Sequence, residues 1–168
     1  MSASALPHWT NYLDAVSVDG LDERLSKHLD QASAILSGIP ADRVDYAYAP
    51  GKWTVRQLMG HILMSHRIFI TRAVCIARGE EKSFPGYDEN AYAENWPHQS
   101  IGVKELASAY ADESRATRNW IRWMTPEERA REGVANNLIV RPEYMIRALI
   151  GHEQHHLNVL RERYGVGL

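Results

Sequence analysis

His61, His152 and His156 are the residues whose type and spacing point most directly to chemistry in this sequence. At about 100° per residue on a helix, His152 and His156 stand about 400° apart, so they occupy one face one turn apart and can share an ion. Measured from Leu149, His152 falls about 60° to one side and His156 about 20°, within the apolar stripe of Met145, Leu149 and Leu160. His155 falls roughly 120° away and stays outside the site. Two buried imidazoles cannot both be charged without a severe desolvation cost, and neutral imidazole is a common metal ligand. An isolated HxxxH pair fits core histidines bonded to other side chains equally well. His61 adds a third, because it shares a helical face with Thr54, Gln57, Leu58, Met64, Ser65, Ile68 and Cys75 and so also projects into the core. Three protein ligands with an open fourth position is the usual catalytic zinc arrangement. His66, about 140° from His61 around the helix, reads as a bystander.

Two other metal sites are excluded by pattern. The run His152, Glu153, Gln154, His155, His156 matches the HExxH of zincin proteases, in which the glutamate is the general base. A zincin takes its third ligand downstream, and the longer metzincin form needs glycine at Val159 and histidine at Glu162, so the sequence after His156 is expected to be too short for either. A ferritin-like di-iron site needs a Glu-x-x-His on each of two helices. Glu153 with His156 supplies one and no second is found; Glu113, on the inner face of its helix, reads as a partly solvated carboxylate at the bundle mouth.

The elements that must position these residues are helical. Apolar residues return every three or four positions in four stretches, and no segment reads as a strand. The first helix spans about Gly20 to Leu36 with Leu21, Leu25, Leu29, Ala32 and Ile35 inward, and stops near Gly38 and Pro40. The second starts at Thr54, an N-cap with Gln57 three residues on, and runs to about Ala77 before Gly79. The third covers about Val103 to Met124, with Leu106, Tyr110, Thr117, Trp120, Ile121 and Met124 on one side and Thr125 and Pro126 as terminators. The fourth begins at Pro142 and runs towards Tyr164, with Met145, Leu149, Leu157 and Leu160 inward. Four such helices bury one another as an all-α four-helix bundle. The segment from Gly79 to Gly102 is long for a loop, and its Phe84, Tyr87, Tyr92 and Trp96 predict an ordered piece packed on the bundle.

Composition agrees with one soluble domain over residues 1–168: 45% hydrophobic, 24% charged and a net charge of -2. No basic stripe is present to grip nucleic acid, and no membrane span is suggested. A lone Cys75 and the lack of an apolar signal-peptide core between Met1 and Leu13 give a cytoplasmic location as the default.

Three segments, PGKWTVRQLMGHIL, RIFITRAVCIARGEEKSFPGYDENAYAENW and RALIGHEQHHLNVLRERYG, make the whole chain resemble the DinB/YfiT-like superfamily of four-helix proteins. The resemblance implies an up-down-down-up bundle, a homodimer, and a divalent ion, nickel, zinc or iron, held by one histidine early in the second helix and two in the last. Those map onto His61, His152 and His156. His66 departs from the pattern, since many relatives carry glutamate there. The activities implied are S-transfer with a low-molecular-weight thiol, isomerisation of thiol adducts, or hydrolysis.

The expected chemistry is therefore a metal that activates a thiol or water against a small-molecule electrophile bound under the long loop, with thiol transfer the narrower expectation. Glu153 is the candidate proton acceptor or supporting partner. Arg72, about 20° from His61 and three turns on, is the candidate cation for an anionic thiol cofactor or substrate, the alternative being a contact to the loop. Asp88 and Glu89 are candidate partners of Arg72 or Arg78, or helix caps. Cys75 reads as a small core residue. The alternative from another class is a non-enzymatic metal-binding or ligand-binding protein.

Overall fold

The computed structural model describes residues 11–96 and 98–166. The stretch from Met1 to Thr10, which carries most of the signal-peptide reading, and Pro97 of the long loop lie outside them. The elements in order are α1 (Asn11–Asp14), α2 (Leu21–Ser37), α3 (Val55–Ala77), α4 (Glu89–Asn95), α5 (Val103–Arg122), α6 (Pro126–Ala130), β1 (Gly133–Ala135), β2 (Leu138–Val140) and α7 (Pro142–Glu162). The four long helices are α2, α3, α5 and α7.

Their directions follow from contacts at their ends. Asp22, at the start of α2, pairs with Arg129 just beyond α5, so α2 and α5 are antiparallel. Arg56 at the start of α3 donates to the Ile101 carbonyl just ahead of α5, and Arg78 past the end of α3 pairs with Glu128, so α3 and α5 run parallel. Tyr164, beyond α7, donates its hydroxyl to the Trp53 carbonyl ahead of α3 at 2.6 Å, which sets α7 antiparallel to α3. The order is up-down-down-up.

Local sequence explains the helix limits. Thr54 and Gln57 form a reciprocal capping box that satisfies two otherwise orphaned N–H groups and starts α3. Thr125 and Glu128 do the same for α6, so the residues that end α5 also open a short helix. Leu21, Leu25, Leu29 and Ala32 of α2 and Met145, Leu149, Leu157 and Leu160 of α7 are buried as their spacing predicts.

Three differences have physical causes. Trp120, expected inward, is 41% exposed and stands edge-on to Trp123, while Tyr110, Thr117 and Ile121 fill the core on the adjoining part of the same helix. The segment after α6 forms a small antiparallel hairpin, Gly133 paired with Val140 and Ala135 with Leu138. Asn136 and Asn137 turn it at φ 52° and 60°, the positive values that a two-residue hairpin loop requires and asparagine tolerates. Its strands are three residues each, too short to show an alternating pattern. Finally, α3 buries a broad arc that includes Ile62, His66, Phe69, Ala73 and Ile76, whereas Met64, Ile68 and Cys75 are only half-buried. This helix packs against both α5 and α7, so one apolar stripe does not describe it.

The described residues of the long loop pack on the bundle. Phe84 exchanges backbone hydrogen bonds with Val134 and Asn136, adding an extended segment beside the hairpin. Tyr87 shares a hydrogen bond with Ser65 at 2.9 Å. Trp96 lies so close over Gly60 that a Cβ there would stand 1.5 Å from its ring, so only glycine permits the approach.

Candidate metal centre

His61 comes from the second turn of α3 and His152 and His156 from consecutive turns of α7. The antiparallel α3–α7 contact points their imidazoles at one spot. The Nε2 atoms lie 3.0 Å apart for His61 and His152, 3.1 Å for His61 and His156, and 3.1 Å for His152 and His156. A neutral imidazole offers at Nε2 either one proton or one lone pair, so three such nitrogens in a triangle cannot satisfy one another by hydrogen bonding alone. An ion held at about 2.0–2.1 Å from each would put the nitrogens roughly 2.9 Å apart at right angles and roughly 3.3 Å apart at tetrahedral angles. The observed spacing falls within that interval, and the donor set fits a divalent ion.

Electrostatics agree. Burial pushes the His61 imidazole down to about 4. Burial first, and then the neighbouring His152, His61 and His155, hold His156 well below the usual imidazole range. Near neutral pH both rings keep the lone pairs that coordination needs. Packing orients the rings. Trp53 lies against His61 with centroids 4.8 Å apart, Tyr12 meets His152 edge-on at 5.7 Å, and Phe69 lies 5.7 Å from His152. The buried Nδ1 of His61 finds no hydrogen-bond partner among the described residues, so this ring is held by Trp53 rather than by an acceptor. His61 and His152 are buried, and the half-buried His156 lines a cavity together with Trp53. His155 is exposed, as its helical phase predicts.

Glu153 follows His152 in the chain but turns into a second polar centre. Its carboxylate is fully buried, with Oε2 accepting from His28 Nε2 at 2.8 Å and from the Tyr110 hydroxyl at 2.5 Å, and Oε1 accepting from His66 Nδ1 at 2.7 Å. His66 Nε2 meets Thr117 Oγ1 at 2.8 Å. Burial alone would raise the Glu153 carboxyl, but the charge interaction with His66 and the hydrogen bonds from His28 and His66 hold it below the usual carboxylate range. Burial, then the Glu153 charge, pushes the Tyr110 phenol up, which keeps it a donor. One carboxylate thus ties α7 to α2, α3 and α5. His66 is no bystander, and the reason is the second buried face of α3. His28 and Tyr110 were missed as polar partners. His28 lies three residues after Leu25 and seven after Leu21, on the apolar stripe of α2, which is the signal that could have found it.

The other candidates go elsewhere. Arg72 is buried, donates to the Pro85 carbonyl at 2.7 Å and lies 6.0 Å from the Tyr87 ring centroid, so it holds the loop. Arg78 pairs with Glu128, and Asp88 caps α4 by accepting from the Asn90 and Ala91 amides. Glu113 is buried beneath Arg67, with which it pairs.

Comparison with known proteins agrees with this architecture. A search of curated proteins gives no match. Two solved structures from Bacillus subtilis share the fold. YfiT, described as a probable metal-dependent hydrolase with an unusual four-helix bundle topology, has a TM-score of 0.74 and 21% identity, covering 90% of this chain and 91% of its own. A DinB-like protein, YjoA, has a TM-score of 0.60 and 19% identity, covering 86% and 90%. The model of the DinB superfamily matches residues 24–160, nearly all of the bundle and all three clustered histidines, and the chain belongs to that superfamily.

Proposed function

We propose that this chain is a metal-dependent enzyme in which His61, His152 and His156 hold one divalent ion, zinc, nickel or iron, and a small-molecule substrate reaches it from the cavity beside His156. The observation that carries the reading is the triangle of Nε2 atoms 3.0–3.1 Å apart. When bound, such an ion supplies Lewis acidity, which makes water or a thiol nucleophilic near neutral pH. The protein contributes neutral imidazoles, packed rings and an open side at His156. Hydrolysis is the first reading, supported by the similar fold of YfiT and its description as a probable metal-dependent hydrolase.

Transfer of a low-molecular-weight thiol is the second reading, and one observation favours it. Glu153 already accepts three hydrogen bonds and is poorly placed to take a proton from attacking water, whereas a thiol is acidic enough to need no protein base. Elemental analysis of the purified protein tests the site: one ion per chain is expected, and a His61→Ala variant that kept full metal content would overturn it. Ester and amide substrates assayed beside thiols with a panel of electrophiles separate the two reactions. Homodimer formation and cytoplasmic residence belong to the same reading, and sedimentation of the loaded protein tests the dimer.

A further inference from the structure

The cavity beside His156 has a definite chemical character. It is an open cleft of about 290 Å³, near the lower end of small-molecule sites. Trp53, Tyr48, Tyr164 and Val159 give it an aromatic and aliphatic wall. That wall is braced: Tyr164 bonds the Trp53 carbonyl at 2.6 Å, Tyr48 meets the Tyr164 ring edge-on at 4.9 Å, and Trp53 is fixed from below by the His61 ring. Lys52, Asn90 and the exposed His155 supply the polar side, next to His156. The Ala49–Lys52 turn, closed by a 3.2 Å backbone hydrogen bond with Gly51 at φ 73°, presents Lys52. Among the described lining residues Lys52 carries the one permanent charge, and no aspartate or glutamate is present.

We infer that this cavity selects a small substrate with a flat aromatic or unsaturated body and an anionic group. The body stacks against the Trp53 and Tyr48 rings, the anionic group faces Lys52, and the reacting bond lies towards His156. Aromatic walls favour planar ligands over saturated ones. A lysine with no opposing carboxylate, beside a centre that gains positive charge when loaded, repels cationic ligands and attracts anions. The inference rests on the metal-centre reading and names the substrate class for it.

The test is calorimetric titration of metal-loaded protein with benzoate, acetate, benzamide and benzylamine, with metal content measured on every sample. Benzoate is expected to bind about ten-fold more tightly than acetate or benzylamine. The Lys52→Met variant should weaken benzoate about three-fold, the scale of an exposed charge pair, while leaving benzamide unchanged. Equal binding of benzylamine and benzoate, an equal effect of Lys52→Met on benzoate and benzamide, or no benzoate binding overturns the inference while the metal reading stands. A wild-type protein that holds no metal overturns the metal reading instead.

Discussion

His66 Nδ1 lies 2.7 Å from Glu153 Oε1, while the residue before Glu153 in the chain, His152, turns to the opposite polar centre with His61. One turn of α7 therefore serves both the candidate metal site and a buried carboxylate network, and the network fixes the helix that carries two of the three histidines. Glu153→Leu should strand the His28, His66 and Tyr110 donors in the core. Loss of one partner from a buried ionic network costs about 3–5 kcal/mol. For a chain of this size that lowers the melting temperature on the order of 10 °C, readable by thermal denaturation. A loss below about 1 kcal/mol would show that the network contributes little.

Acidification should destabilise the metal-free protein in a definite window. His61 is depressed to about 4 by burial and His156 is depressed as well, while an unfolded histidine titrates near about 6.5. Below about 6.5 the unfolded chain binds protons that these folded imidazoles refuse, so stability falls as pH drops towards about 4 and is flat with respect to these groups above 6.5. Glu153 has a folded pKa below its unfolded value, so its contribution is present above about 4.5 and is lost on further acidification. Urea denaturation from pH 7 to 4.5 should show the slope, and His61→Ala should flatten it. An unchanged slope in that variant would mean that His61 is not the titrating group.

Metal removal should leave the helices in place. Leu29, Ile62, Met145, Leu149 and Leu160 form a core that does not depend on the triad. A ligand that binds only the folded state adds about 4 kcal/mol at a thousand-fold excess over its dissociation constant. Chelation is therefore expected to lower the melting temperature on the order of 10 °C while far-ultraviolet circular dichroism keeps its helical form. Collapse of the helical signal on chelation would make the ion structural rather than catalytic.

Much of this was legible in the sequence because helical phase is a local property. His152, His156 and the inward leucines of α7 follow from 100° per residue, and Thr54 with Gln57 marks the start of α3. The network was not legible for a different reason. His66 and Glu153 lie off the stripe chosen for their own helices, and their burial depends on how many neighbours each helix has. Phase gives a direction, but only the assembled bundle says that α3 and α7 are covered on two sides. Arg72 illustrates the same limit: its angle placed it near His61, but its guanidinium is taken by the Pro85 carbonyl, in a loop whose path no periodicity describes.

The contact between Trp96 and Gly60 gives the sharpest mutational expectation. A Cβ at residue 60 would stand 1.5 Å from Trp96 Cζ3, an overlap that no rotamer adjustment of the methyl relieves, so Gly60→Ala must expel the indole or displace the loop. Ordinarily alanine is the better residue within a helix by about 1 kcal/mol. Here overpacking reverses the sign, and a net loss of about 1–3 kcal/mol is expected in urea denaturation. Since Gly60 precedes His61, the displaced loop should also loosen metal binding. Replacing the indole in Gly60→Ala/Trp96→Ala removes the clash, so the double variant should be less destabilised than the sum of the two single changes. Simple additivity would show that the loop accommodates the methyl without strain, and that Trp96 does not hold this side of the site.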